Sequence, residues 1–368
     1  MSDTDQAHEA VERLDFIDRK QEVEGSGFDR RAFLRRTALT GIAAGSVSTL
    51  LSACGSSAST ASGASSIFDS STSYKFTFVN HVTTNPFFVP TQYGIQDACK
   101  LLGCTYAWTG SETSNVSQMV NALNSAVAAK VDGIACSLID PTAFNSPVAS
   151  ALSAGIPVVA YNADAKGNPR LAYIGQDLEF SGELMGEHIV ELVPSGEVAL
   201  FIATPGSLNI QPRINGALTT LKKHPSIKTN VIATGAAVPA ELTVIESYFV
   251  GHPNTKGMFA VDAGSTQGVA ETIEKHGAKE TVKGGGYDLV EVTEKLLAAG
   301  DIQFTIDQQP YLQGFLPILE LYLHAVSKGL SGIADVDTGI KFLNKETVEP
   351  YNTTKSRYEG TSSKAGVS

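Results

Sequence analysis

From Lys75 onward the apolar positions follow two periods in turn. Phe76, Phe78, Val79 and Val82 mark a mostly buried strand. Asn80 to Thr84 then supply turn and cap residues, Pro86 suits a first helical position, and apolar residues resume at helical spacing from Phe87. The same alternation predicts further strands over 105–108, 133–137, 157–161 and 172–174, with helices over 87–102, 114–130 and 142–154 between them. A second half repeats the rhythm. Its strands are predicted over 197–203, 227–233, 257–261, 282–287 and 304–306, and its helices over 210–224, 242–251, 265–276, 289–299 and 313–328. Such alternation means parallel sheets covered on both faces. Two runs of about five strands predict an α/β protein of two doubly wound parallel-sheet lobes, with a ligand cleft between them.

The stretch before this pattern belongs to export. Arg30-Arg31-Ala32-Phe33-Leu34-Arg35 has the form of a twin-arginine signal. The apolar run that follows, 37–51, is short for a membrane span. Leu51-Ser52-Ala53-Cys54 then resembles a bacterial lipobox, which implies that residues 1–53 are removed and that Cys54 carries lipid. Residues 54–73 are rich in Gly, Ser, Ala and Thr and read as a flexible tether. Residues 351–368 are polar and read as a disordered tail. The expected location is extracytoplasmic, lipid-anchored to the cell membrane.

Charge narrows the partners. Without residues 1–53 the chain keeps 20 basic and 29 acidic residues, a net charge of −9. An acidic body without a basic cluster excludes nucleic acid as an expected partner and leaves the membrane link to the lipid alone. Beyond Cys54, three cysteines remain, Cys99, Cys104 and Cys136, with no metal-ligand spacing. A bridge between Cys99 and Cys104 across a helix end stays open. The sequence holds no HExxH, GxSxG, phosphate loop or GxGxxG, so neither a metal nor a cofactor is expected.

The residues just past the strands' carboxyl ends are chemically alike. The first half offers Asn85, Phe87, Phe88, Asp140, Asn162 and Asp164; the second offers Asn209, Gln211, Asp262, Asp288 and Gln308. Amides and carboxylates exchange hydrogen bonds in fixed planar geometry, which suits the vicinal hydroxyls of a sugar or polyol. A phenyl face packs the C–H side of a sugar ring. A single Asp after a strand is commonly a helix cap. Recurrence at the strand ends of both halves is what points to a ligand.

Over residues 74–343 the chain resembles the class I periplasmic sugar-binding proteins, the ribose-binding-like solute receptors of ABC importers. The likeness is carried by Asn85-Pro86-Phe87-Phe88-Val89, Val131-Asp132-Gly133-Ile134, Gly155-Ile156-Pro157-Val158-Val159, Ile174-Gly175-Gln176-Asp177, Gly286-Tyr287-Asp288 and Gln308-Gln309-Pro310. It implies ligand contacts from Asn85, Phe87, Phe88, Asp140, Asn162, Gln211, Asp262, Asp288 and Gln308, and a structural role for Arg213. It also implies a three-strand hinge, crossed near Gln176-Asp177, Gln308-Gln309 and Gly329-Leu330. The lobes would then comprise 74–176 plus 309–329 and 177–308 plus 330–350, closing like jaws on the ligand.

Where such proteins bring arginines to the sugar, this chain has Ala163 and Gln211, and Gly235-Ala236-Ala237-Val238 stands in place of an aromatic clamp. A pocket of Asp140, Asp164, Asp262 and Asp288 repels anionic ligands, with Lys166 the one candidate counter-ion. The expected function is therefore a monomeric, non-enzymatic lipoprotein that captures a neutral sugar or polyol and delivers it to an ABC importer permease. A receptor feeding a membrane signalling protein is the alternative. A carbohydrate-acting enzyme with paired carboxylates ranks lower, because the aspartates come with amides at many strand ends and no nucleophile–base pair accompanies them. A repressor sharing these lobes requires a helix-turn-helix where this chain has an export signal.

Overall fold

Each of the two runs of strands builds its own sheet, and the two sheets share one topology. The computed structural model describes residues 72–354. In the first sheet β1 (Lys75–Asn80), β2 (Thr105–Gly110), β3 (Gly133–Cys136), β4 (Val158–Tyr161) and β5 (Ala172–Gly175) lie side by side as β2-β1-β3-β4-β5, all parallel. In the second, β6 (Gly196–Ile202), β7 (Ile227–Ala233), β8 (Thr255–Ala260), β9 (Lys283–Tyr287) and β10 (Phe304–Asp307) repeat that order as β7-β6-β8-β9-β10. Both orders reverse direction after the first strand, and ligands of open α/β sheets bind outside the carboxyl ends of the strands at such a switch. The edges are closed late in the chain. β11 (Val336–Asp337) adds to β5 in parallel, and β12 (Lys341–Leu343) adds to β10 as the single antiparallel strand among the described residues.

Helices cover both faces: α1 (Val89–Leu102), α2 (Val116–Ala128) and α3 (Asn145–Ser153) in the first half, then α4 (Leu178–Leu192), α5 (Gln211–Leu221), α6 (Val238–Gly251), α7 (Ala263–Lys275), α8 (Glu291–Ala299), α9 (Leu312–Val326) and α10 (Glu349–Thr354). Burial on two faces explains why β3 and β4 are buried at every position. The first sheet carries Phe76, Phe78, Ile95, Ile318 and Leu321 on one side and Met119, Leu123, Ile134 and Phe144 on the other. Although α9 follows the second sheet in sequence, it packs on the first, against α1. Glycines let the two backbones meet: a Cβ on Gly94 would stand 2.1 Å from Tyr311 O, and one on Gly314 would stand 2.0 Å from Thr91 O.

The structure corrects three expectations and settles one pairing that the sequence left open. Sequence periodicity misses α4, whose Gly182 and Gly186 weaken the helical signal. Both glycines are required by the approach of α5, since a Cβ on Gly182 would lie 2.2 Å from Arg213 O. The third crossing lies between β11 and β12, at 338–340, because residues 336–337 still pair with the first sheet; it does not lie at Gly329-Leu330. Ordered structure runs past Tyr351 to the end of α10, and Tyr351 is buried with its hydroxyl donating to Asp307 at 3.1 Å, so residues 351–354 do not belong to a disordered tail. Cys99 and Cys104 are unbridged thiols. The signal, Cys54 and the tether up to residue 71 lie outside the described residues, as do residues 355–368.

The three crossings are bonded to one another. Gln176 Nε2 donates to Gly339 O at 3.2 Å, and Thr338 Oγ1 donates to Gln308 O at 2.8 Å. Gln313, buried at the start of α9, also donates to Gln308 O, at 3.0 Å.

Candidate functional site

At the carboxyl ends of both sheets, a cleft of about 320 Å³, counted out to open solvent, is lined by polar side chains from both halves. The turn after β1 supplies the first group. Asn80, fully buried, donates to Tyr161 Oη at 2.8 Å and accepts from Val82 N at 2.8 Å, which pins the turn. Asn85 Oδ1 then accepts from Phe87 N at 2.9 Å and caps a 3-10 turn over Pro86–Phe88. That turn drives both phenyl rings inward. Phe87 and Phe88 meet edge to face, with centroids 4.7 Å apart, and Phe88 also packs on Trp108 at 5.9 Å. They line the cleft and belong to the apolar core as well, so neither role excludes the other.

Asn162 and Asp288 occupy equivalent places after strands four and nine, and both take left-handed backbone, with φ of 63° and 72°. Such a conformation is costly for a residue with a Cβ, though Asn and Asp tolerate it best. Gln308 joins them across the hinge: its Nε2 donates to Asp288 Oδ1 at 2.7 Å, and its Oε1 accepts from Asn162 Nδ2 at 3.4 Å. Asn162 Nδ2 also donates to Gln313 at 3.2 Å, while Asn162 Oδ1 is buried without a hydrogen-bond partner. A buried acceptor left unpaired costs free energy, and a ligand hydroxyl would remove that cost.

Charges in the cleft differ from the expected set. Asp262 caps α7, accepting from Ser265 N at 2.8 Å and from Ala203 N at 2.9 Å. Burial raises its pKa, against the pull of these bonds and of Arg213. Burial likewise pushes Asp288 up to about 7, although Arg213 and Gln308 favour its ionised form. Arg213 is 2% exposed and lies 4.0 Å over the Tyr287 ring; it donates to Val261 O at 2.9 Å and to Gln176 Oε1 at 3.2 Å. It therefore braces the first crossing and also lines the cleft, where sequence reasoning saw a structural residue only. Two carboxylates face one guanidinium, instead of four aspartates facing none.

Three expected residues do not line the cleft. Asp140 accepts from Thr142 N and Ala143 N at 2.9 and 2.8 Å, a turn cap that holds its pKa down. Asp164 is paired with Arg170 at 2.6 Å, and Arg170 also reaches Asp335 beside β11, so this carboxylate fastens an edge strand. Gln211 accepts from Gly206 N at 2.8 Å and donates to Asn215 at 2.9 Å, on the surface. Lys166 is exposed and lines no part of the cleft. Asn209 does line it, and so does His81, which sequence reasoning overlooked. Its position one residue past β1 was the available signal. His81 is buried, its ring stands edge to face with Phe88 at 5.3 Å, and burial lowers its pKa to about 3.

Among the described residues no cluster of three His, Cys, Asp or Glu side chains is arranged for a metal ion, and no helix is long and apolar enough to cross a membrane. A larger hollow, of about 1260 Å³ counted in the same way, opens at the opposite end of the first sheet between Tyr74, Lys130 and Lys328.

Comparison with known proteins gives one consistent picture. The family model for the periplasmic binding protein domain matches residues 76–329. The xylose/arabinose-binding protein XylF of Sulfolobus acidocaldarius is 53% identical over 305 residues, covering 78% of this chain and 75% of that protein. The ribose import binding protein RbsB of Bacillus subtilis is 27% identical over 248 residues, covering 66% of this chain and 79% of that protein. Among solved structures, an ABC transporter solute-binding protein of Burkholderia graminis in complex with D-arabinose superposes with a TM-score of 0.71 at 28% identity, covering 76% of this chain and 97% of that one.

Proposed function

Because this chain belongs to the periplasmic binding protein family, as a class I sugar-binding member, we propose that it captures a neutral aldopentose such as xylose or arabinose in the cleft and delivers it to an ABC importer. The observation that carries this reading is the Asn162–Gln308–Asp288 chain, which joins one sheet, the hinge and the other sheet and leaves Asn162 Oδ1 unpaired and buried. Phe87 and Phe88 offer apolar faces to a sugar ring, while Asp262, Asp288 and Arg213 offer acceptors and donors to its hydroxyls. The names of the relatives speak of binding and import, and none speaks of turnover. Membership of this family places the chain outside the cytoplasm. Lipid attachment at Cys54 belongs to the proposal, and Cys54→Ala is expected to free the protein from the membrane fraction.

The ligand's charge follows from the balance in the cleft. Two carboxylates and one guanidinium leave no cation to spare for a sugar acid or phosphate. Calorimetry with xylose, arabinose and their aldonic acids tests the proposal. Saturable binding of a neutral pentose, with the acids at least tenfold weaker, is the expected result. Binding of neither pentose refutes the pentose assignment, and tighter binding of an acid refutes the charge argument.

A further inference from the structure

His81 contacts both halves of the molecule. Its Nδ1 lies 3.1 Å from Ser137 Oγ, in the turn after β3 of its own sheet, and its Nε2 lies 3.1 Å from Asn209 Nδ2, which follows β6 of the other. Ser207 Oγ donates to Asn209 Oδ1 at 2.6 Å, so the amide nitrogen is the group that faces the imidazole. An amide nitrogen only donates. Nε2 must therefore be the bare nitrogen, and Nδ1 carries the proton toward Ser137. One residue away, Leu208 N donates to Ile139 O at 2.9 Å, a second bond across the cleft. Leu208 also packs against the apolar cluster that contains Ile139 and Phe144.

We propose that His81, acting through Asn209, is a positioning residue that latches the two lobes over the sugar, and that the latch accepts only the neutral imidazole, so capture weakens in acid. The inference rests on the sugar-capture reading above and adds a proton to it. A second proton on Nε2 would face the Asn209 amide donor, and relieving that clash requires the amide to turn over and the Ser207 hydroxyl to reverse its bond as well. The charged groups that share the cleft are Arg213, Asp262 and Asp288; among the described residues no carboxylate forms an ion pair with His81, and Arg213 would repel an imidazolium. Burial alone lowers the affinity of His81 for a proton in this closed arrangement.

The sign is fixed by comparing the two states. With the lobes apart, His81 is expected to titrate near its ordinary value of about 6.5. The closed state takes up that proton only near pH 3. Closure is therefore unopposed above pH 6.5 and is opposed increasingly as the pH falls below it, by about tenfold between pH 7.5 and 5.5. Protonation of Asp288 and Asp262 acts on binding as well, in the wild type and in a His81 variant alike, so the ratio between two proteins isolates the histidine.

The test measures xylose and arabinose affinity calorimetrically from pH 7.5 to 5.5 for the wild type, His81→Gln and Asn209→Asp. Glutamine keeps a polar group within reach of Asn209 but does not titrate. The ratio of wild-type to His81→Gln dissociation constants should grow about tenfold over that range. Asn209→Asp should lose the acid sensitivity, because a proton on Nε2 then meets a carboxylate acceptor in place of an amide donor. A constant ratio together with an Asn209→Asp profile parallel to the wild type overturns the latch. If the wild type binds neither sugar at pH 7.5, the capture reading has failed, and small-angle scattering decides the latch separately. The wild type should then expand between pH 7.5 and 5.5 while His81→Gln does not, and equal behaviour of the two overturns it.

Discussion

Asp288 is the residue whose replacement should divide stability from function most sharply. It is 5% exposed, has left-handed backbone and has a pKa of about 7 in the folded protein. Unfolded, the same carboxyl titrates near 3.8. A folded pKa above the unfolded one means that the native state binds more protons, so the cost of holding this group rises with pH between those two values. The rise from 3.8 to about 7 corresponds to about 4 kcal/mol once the pH exceeds 7, and to less than half of that at pH 5. Asp288→Asn removes that cost while keeping an oxygen for Gln308 Nε2. The variant should gain stability over the wild type without sugar, and the gain should grow by about 2–3 kcal/mol from pH 5 to pH 8. Urea denaturation followed by circular dichroism at both pH values measures it. Pentose affinity should move the other way, by about 1.5–3 kcal/mol, since a hydroxyl loses a charged acceptor. A stability difference that is flat between pH 5 and pH 8 refutes the reasoning, because it would mean that Asp288 is not held against its own ionisation.

Phe88→Ala should cost about 3–5 kcal/mol of stability, because the ring is 2% exposed and wedged among Phe87, His81 and Trp108, and should weaken pentose binding as well. Comparing its melting temperature with and without xylose separates the two effects. Gly314→Ala should destabilise the first half by about 1–3 kcal/mol or more, since its methyl would fall 2.0 Å from Thr91 O and force α1 and α9 apart. A melting temperature equal to that of the wild type would show that these helices have room the structure denies them.

Periodicity made the two sheets legible, because a strand buried on both faces and a helix with one apolar side leave different marks. It failed at α4, where glycines answer to a neighbouring backbone that only the folded chain brings near. At the site, strand-end position marked Asn85, Asn162, Asp262, Asp288 and Gln308 as cleft residues, yet it also marked Asp140 and Asp164. What distinguishes the two groups is the partner each carboxylate finds. The Arg170 that claims Asp164 lies six residues on, but its second partner, Asp335, is 165 residues away, beyond the reach of local reasoning. His81 was hidden for the opposite reason. A histidine after an apolar strand has no pattern of its own, and its meaning comes from Asn209, 128 residues later.

The late return of α9 and β11 to the first sheet dictates the order in which this protein can be finished. Ile318, Leu321 and Tyr322 of α9 complete an apolar face that Phe76, Phe78 and Ile95 begin more than two hundred residues earlier. As the chain is synthesised, that face waits uncovered while the whole second sheet emerges. Neither sheet is a contiguous segment, so cutting the chain between them cannot release two independent domains. Closing such distant contacts is slow, and the interval exposes greasy surface to other molecules. The nascent protein is therefore expected to need shielding until about residue 340 has left the ribosome, and truncations that remove α9 should aggregate, sparing neither half.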